Sequence, residues 1–200
     1  MTASLSAPPR VVLGLAGASG AAIGVRVAEI LHEAGAETHL VVTRAAERTL
    51  ALELGPDTLP RLERLVHCRH AIDDVAAPIA SGSVATAGMI VAPCSMRALG
   101  ALAAGLGADL LTRAADVHLK ERRRLILAPR ESPLHLGHLR AMTAVTEYGA
   151  IVAPPMPAFY LRPASLAELI DDIAARLVAL LALPGTPPPR AWTGAAEPPP

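Results

Sequence analysis

The sequence predicts a doubly wound α/β domain with a mainly parallel sheet, and three observations predict it. First, Val11–Leu15 and Met89–Ala92 are apolar runs without polar alternation, the mark of strands buried on both faces. Second, strands give way to turns of small or hydroxylic residues and then to helical patterns, the rhythm of βαβ units. Third, the 52% hydrophobic content is mostly Ala, Leu and Val, and the aromatic residues are only Phe159, Tyr148, Tyr160 and Trp192. Such small and branched side chains suit tightly packed α/β layers. The 200 residues suit one domain with a sizeable core.

Residues 1–9 read as a disordered lead. After Val11–Leu15 comes Gly17-Ala18-Ser19-Gly20, then a helix over Ala21–Ala34 with Ile23, Val27, Ile30 and Leu31 on one face and Gly35 as its stop. Thr38–Val42 is the second strand. The glycines Gly14, Gly17, Gly20 and Gly24 do not fit GxGxxG, so no dinucleotide fingerprint is present. The turn still places backbone N–H groups at a helix start, where an anion is accepted; Ser19 also reads as a helix N-cap. Thr43 caps a helix over Arg44–Leu54, near whose end Glu53 reads either as a solvated carboxylate or as a site residue. Pro56–Val66 is a further helix, and His67–Ser83 is loop-like.

Met89–Ala92 ends at Pro93-Cys94-Ser95-Met96, with Ser95 opening a helix over Met96–Ala104. Ser19, Thr43 and Ser95 thus place three hydroxyls at helix starts on one edge of a parallel sheet, where α/β folds bind phosphates and cofactors. A helix over Asp109–Glu121, a strand over Arg124–Ala128, a helix over His135–Tyr148 and a short strand over Ala150–Val152 follow. Arg130-Glu131 falls on the same edge. Pro154–Tyr160 is too proline-rich for regular structure and reads as a wall or lid. Ser165-x-x-Glu168 is a capping box for a last helix, to about Leu183. Residues 184–200 are a Pro-rich tail expected to be disordered, leaving 10–183 as the folded domain.

Composition excludes several function classes. The net charge is zero, which gives non-specific nucleic-acid binding no electrostatic support. No uncharged run reaches membrane-spanning length: Met89–Leu111 is broken by Pro93, Arg97 and Asp109. The apolar run after Arg10 imitates a signal peptide but continues into a helix carrying Arg26 and Glu29. Cys68 and Cys94 make no disulfide framework and fit a reducing, cytoplasmic setting. His67-Cys68-Arg69-His70 lacks paired metal-ligand spacing and reads as surface loop, so no metal is expected.

The basic stretch Leu111–Glu131 holds six of the 18 basic residues, among them Lys120, the only lysine in the chain. A compact ammonium on a flexible stem suits a phosphate oxygen or a proton transfer. On spacing alone the stretch equally reads as a helix with a solvated basic end.

Together, Gly17-Ala18-Ser19-Gly20, Gly88–Met96, Arg113–Val117, Leu119–Arg123, Arg130-Glu131, Pro133-Leu134-His135 and Pro154–Tyr160 resemble the UbiX family of flavin prenyltransferases over about Val11–Leu183. The resemblance implies a flavodoxin-like Rossmann fold of three layers and a homo-oligomer built from trimers into dodecamers. It implies FMN, in reduced form, as cofactor and acceptor, and dimethylallyl phosphate, or the diphosphate in some members, as donor. The prenyl group is joined to N5 and C6 of the flavin, and the product serves UbiD-type decarboxylases, in ubiquinone biosynthesis among other uses. By matching positions, Gly17, Ala18, Ser19, Thr43, Cys94, Ser95, Met96, Arg97 and Arg130 are the implied FMN contacts. Lys120, Tyr160 and Arg176, with Arg113 close by, are the implied phosphate ligands. Glu53 and Glu131 match acidic active-site positions, and Ser19 stands beside them as a further catalytic candidate. Val84 departs from the family, where an aromatic usually follows the Ser-Gly-Ser motif.

These residues permit a specific chemistry. Asp73-Asp74 and Asp171-Asp172 do not extend to DDxxD, the motif that holds Mg²⁺ in many prenyl transferases. A clamp of Lys120, Arg176 and the Tyr160 hydroxyl can instead neutralise a departing phosphate. Glu53, Glu131 or the phosphate itself is then the acceptor of the C6 proton. Cys94, after a proline at a strand end, reads as backbone and bulk rather than nucleophile. Two other functions remain on the same fold: an FMN-dependent cysteine-type decarboxylase, whose PASANT- and PxMNxxMW-type segments are replaced here, and a non-catalytic FMN carrier, which has no need of Lys120, Tyr160 and Arg176 together.

Overall fold

The computed structural model describes residues 7–194; residues 1–6 and 195–200, the outer parts of the expected lead and tail, lie outside the described residues. Six strands form one sheet: β1 (Arg10–Leu15), β2 (Glu37–Val42), β3 (Cys68–His70), β4 (Gly88–Cys94), β5 (Leu125–Pro129) and β6 (Ile151–Val152). Their order is β3-β2-β1-β4-β5-β6, with every pair parallel. The helices are α1 (Ala21–Glu33), α2 (Arg44–Leu54), α3 (Thr58–Leu65), α4 (Met96–Ala103), α5 (Leu110–Lys120), α6 (Leu136–Glu147) and α7 (Leu166–Ala179). The direction of winding reverses between β1 and β4, and in such sheets the ligand crevice opens there, beyond the carboxyl ends of the strands.

Alternation along the strands explains the continuous apolar runs. Val11, Leu13 and Leu15 pack with Leu40, Val42, Ile90 and Ile126 against α1, α2, α3 and α7. Val12, Val41, Met89, Val91 and Leu127 face the other way, against α4, α5 and α6. Successive side chains point to opposite faces, and both faces carry helices, so no strand position in β1 or β4 needs to be polar. The result is the three-layer flavodoxin-like arrangement.

The structure changes several expectations. His67–Ser83 is not all loop: Cys68–His70 is the edge strand β3, in register with His39–Val41, and Pro78–Ala80 is a short 3-10 helix. Three residues followed by a long irregular loop carry too little periodicity to be read as a strand; pairing with β2 makes them one. The capping box at Ser165 is shifted: Ser165 Oγ accepts from Glu168 N–H (3.2 Å), but Glu168 Oε2 accepts from Ala164 N–H (2.8 Å). At α5 a true capping box forms between Asp109 and Thr112. Among the described residues no helix is long and apolar enough to cross a membrane.

His118, within α5, is fully buried. Its Nδ1–H donates to the Ala114 carbonyl (2.7 Å) and its Nε2 accepts from the Thr86 hydroxyl (2.9 Å). Burial, more than any other influence, holds its pKa below the usual histidine value. The native state therefore resists a proton that the unfolded chain accepts. Its contribution is fully present above about pH 6.5 and is lost as the pH falls through that value toward the lower folded pKa. Urea unfolding between about pH 7.5 and 5 will show a shallower pH slope in His118→Gln than in the parent chain; equal slopes would remove His118 from the account.

Candidate active site

The carboxyl ends of β1, β2 and β4 are tied by backbone bonds. Ala16 N–H donates to the Pro93 carbonyl and Thr43 N–H to the Leu15 carbonyl, each at 3.0 Å. The turn after β1 runs so close to α2 that a Cβ on Gly17 would stand 2.3 Å from the Ala45 Cβ. Only glycine fits this approach. Gly17→Ala will lower the unfolding free energy by about 1–3 kcal/mol, the usual cost of overpacking, measured by urea titration; an unchanged midpoint would show that the turn yields freely.

Two of the three expected hydroxyl caps form. Thr43 Oγ1 accepts from Ala46 N–H at 3.1 Å and Ser95 Oγ from Ala98 N–H at 3.3 Å. Ser19 does not cap. Gly20, at φ 105°, takes the capping position of α1 without a side-chain bond, which leaves Ser19 exposed one residue before the cap. A carboxylate from the far end of α2 serves instead. Glu53 Oε2 accepts from Gly20 N–H (3.0 Å) and Ala21 N–H (2.8 Å), and Oε1 lies 3.2 Å from the same Gly20 nitrogen. Helix N-termini favour negative charge, so Glu53 holds the anion position that the sequence pattern left open. It is exposed, yet fastened to the start of α1 beside Ser19 rather than free at the end of its own helix.

Between these turns lies a cleft of about 340 Å³, lined by Gly17, Thr43, Ala45, Ile72, Ser95 and Arg97, together with Thr112 of α5 and Asp109, the cap of that helix. The volume falls in the roughly 300–1,000 Å³ range of small-molecule sites. Ala98, Ala101 and Ala108 also border it. Their short side chains leave room for a flat ring system, while the hydroxyls, helix starts and the exposed Arg97 suit a phosphate. The donor set therefore fits a flavin mononucleotide. Ala18 and Met96 are half-buried and adjoin lining residues in the chain, but neither lines the cleft itself. Cys94 is fully buried, and burial pushes its thiol up to about 12, which suits packing rather than nucleophilic attack. Arg130 and Glu131 are exposed just after β5, where Arg130 N–H donates to the Cys94 carbonyl at 3.2 Å.

Tyr160 and Arg176 line a second hollow of about 310 Å³, walled by Pro154, Met156, Pro157 and Ile173. Asp172 and Arg190 border it as well and form a two-pronged ion pair, Arg190 Nε standing 2.6 Å from Asp172 Oδ1. Trp192 meets the Tyr160 ring edge-on at 5.5 Å. Sequence reading missed Asp172 and Arg190 because the partners lie 18 residues apart, one of them in the segment read as tail; an arginine isolated among prolines was the available signal.

Lys120 and Arg113 stand elsewhere. Lys120, exposed at the last residue of α5, pairs with Glu121 and borders a third hollow with Leu102, Asp116, Glu147 and Tyr148. Arg113 donates to the Ala80 carbonyl (3.2 Å) and pairs with Asp116 (2.9 Å). Within one chain, then, the implied flavin contacts gather at one edge, while Tyr160 with Arg176, and Lys120, line two other hollows.

A parallel sheet whose switch point opens on capped helix starts and a cleft of this size defines an α/β nucleotide-cofactor protein. Comparison makes the class specific: the model of the Flavoprotein family matches residues 2–179. The flavin prenyltransferase UbiX of Thauera aromatica is 51% identical over 169 residues, 84% of this chain and 87% of that one. The crystal structure of AnUbiX in complex with FMN and dimethylallyl pyrophosphate is similar at a TM-score of 0.89 and 43% identity, covering 94% of this chain and all of that one. A dodecameric FMN-dependent UbiX-like decarboxylase from Escherichia coli O157:H7 gives 0.87 and 41%, over 92% of this chain and all of that one. The chain belongs to the Flavoprotein family and, within it, to the UbiX flavin prenyltransferases.

Proposed function

We propose that this protein joins the dimethylallyl group of dimethylallyl phosphate to N5 and C6 of reduced FMN. The observation that carries the reading is the second hollow, where a phenol and a guanidinium without an ion-pair partner among the described residues, Tyr160 and Arg176, meet apolar walls of Pro154, Met156 and Ile173. A phosphate needs the first pair and a five-carbon prenyl chain needs the second. The bound reduced flavin supplies the nucleophile, so no protein side chain has to attack.

The chain's own groups then have four tasks. Thr43, Ser95, Arg97 and the backbone around Gly17–Ser19 hold the flavin, with Arg130 reaching from the end of β5. Lys120, Tyr160 and Arg176, with Arg113, bind the donor phosphate and favour its departure, because fixed positive charge is worth most where negative charge develops. Pro154–Phe159 keeps water from the reacting carbon. Glu53, held on the α1 amides next to Ser19, Glu131 or the departing phosphate receives the C6 proton, while the prenyl double bond takes up a proton as its far carbon bonds to C6.

Lys120 and Tyr160 lie in separate hollows of one chain, and a relative of known structure is dodecameric. The proposal therefore includes a homo-oligomer, a dodecamer, in which one subunit's Lys120 completes another's site. It includes a UbiD-type decarboxylase as recipient of the product and, from two unpaired cysteines, a cytoplasmic setting. Anaerobic incubation with reduced FMN and dimethylallyl phosphate, followed by mass spectrometry of the flavin, tests the reaction: the flavin will gain one prenyl unit. Unaltered flavin with tight FMN binding would leave a carrier.

A further inference from the structure

We infer that the β2–β3 edge of the sheet is a site for a zinc-class divalent metal ion, held by His39, Cys68 and His70. Three ligand atoms from two strands converge there. His39 Nδ1 lies 2.8 Å from His70 Nε2 and 3.3 Å from Cys68 Sγ, and Cys68 Sγ lies 3.3 Å from His70 Nε2. Tetrahedral zinc, with bonds of about 2.0–2.1 Å to nitrogen and 2.3 Å to sulfur, sets its ligands about 3.3 Å (N to N) and 3.6 Å (N to S) apart. The trio needs to open by only a few tenths of an ångström to admit the ion.

Strand geometry explains the convergence. His39 stands directly opposite Cys68 in the parallel register, and His70 is opposite Val41, two residues on. Residues at i and i+2 share a face, so all three side chains emerge on one side of the sheet. This is why linear spacing concealed the set: the His-Cys-Arg-His segment supplies two ligands and the neighbouring strand the third. Because β3 is the edge strand and Cys68 and His70 are only half-buried, a water or other small ligand has room for a fourth position.

The surroundings orient the ligands as metal sites require. His39 Nε2 lies 2.9 Å from Glu37 Oε1. A carboxylate accepts, so the ring carries its proton on Nε2 and turns the Nδ1 lone pair toward Cys68 and His70. Glu37 is itself fixed by Arg10 Nε at 2.6 Å. Carboxylate–histidine–metal chains of this kind set tautomer and orientation in known sites. A thiolate with two imidazoles selects zinc-class ions over magnesium or calcium. His39, Glu37 and His67 form a second cluster on the opposite side of the same ring, but there Glu37 is already engaged by Arg10.

The ion has a structural task. It pins the edge strand to β2, and two residues beyond His70 the chain forms the cleft wall at Ile72, whose carbonyl accepts from Leu110 N–H at 2.8 Å. No part of the proposed prenyl transfer passes through it.

The test uses the full chain, without a polyhistidine tag, stripped of metal under reducing conditions. Zn²⁺ titration against a competing chelator will give one tight site per chain, and Co²⁺ will give the absorption of a tetrahedral thiolate complex. Cys68→Ser and His70→Ala will each weaken Zn²⁺ binding at least roughly a hundredfold, and Cys68→Ser will abolish the Co²⁺–thiolate band. Glu37→Gln will weaken binding roughly ten- to a hundredfold, and His67→Ala will leave it unchanged. Zn²⁺ will also shield Cys68 from alkylation in the unmodified chain, a readout that depends on no variant. Absence of a stoichiometric site, a site lost in His67→Ala but kept in Cys68→Ser, or unshielded Cys68 at saturating Zn²⁺ would each overturn the assignment.

Discussion

Lys120→Met will slow single-turnover flavin alkylation by roughly thirty- to a thousandfold, or about 2–4 kcal/mol in the barrier, with FMN affinity nearly unchanged. Methionine keeps the length and apolar stem of the side chain while deleting its charge. In the structure that charge is exposed at the end of α5 and, among the described residues, pairs only with the neighbouring Glu121. An exposed pair of this kind adds little to stability, so the thermal midpoint will hardly move. The flavin cleft is lined by other residues, so cofactor affinity has no reason to follow the rate. Mixing separates the roles further. If the clamp spans subunits, oligomers assembled from Lys120→Met and Tyr160→Phe chains will regain part of the activity that each lacks alone. Normal alkylation by Lys120→Met, or a fall in FMN affinity as large as the fall in rate, would return Lys120 to a solvated helix end.

Glu53→Gln is expected to cost roughly a hundred- to ten-thousandfold in formation of the fully prenylated flavin, the range for loss of a positioned proton acceptor. Glutamine retains an oxygen for the Gly20 and Ala21 amides, so the turn keeps its shape. The lost charge at the helix start accounts for only about 0.3–1 kcal/mol of stability. Glu53→Ala separates structure from chemistry, since it also leaves both amides without their acceptor, at about 1–3 kcal/mol if they stay dry. The informative readout is the pair of bonds: a Glu53→Gln enzyme that stalls after the first bond to the flavin places the carboxylate at ring closure, where C6 loses a proton as the prenyl double bond gains one. One that forms both bonds within about threefold of the parent rate hands that step to Glu131 or the departing phosphate.

Much of the fold was legible because its signals are local. The runs Val11–Leu15 and Met89–Ala92 are apolar throughout because helices cover both faces of the sheet, and burial on two sides leaves no alternation to obscure. Thr43 and Ser95 announced helix starts because a cap needs only the three residues that follow it. The motif resemblance likewise rests on contiguous segments, and it led to the family that comparison establishes. The implied roles of Lys120, Tyr160 and Arg176 come from that same resemblance, and the variants above are what test them.

What the chain alone did not disclose depends on contacts between residues distant in sequence. Glu53 reads as the end of an amphipathic helix; only the packing of α2 beside the turn after β1 brings its carboxylate to amides 32 and 33 positions away. That contact also displaced Ser19 from the capping role, since a glycine at positive φ completes the turn without a side chain. Arg190 found Asp172 across 18 residues. His39, Cys68 and His70 became one cluster because a parallel register aligned two strands separated by α2 and α3. Local sequence determines which residues can cap, pleat or bury. Which carboxylate meets which helix, and which imidazole meets which thiol, is decided by how the layers close, because side-chain chemistry acts over a few ångströms of space whatever the distance along the chain.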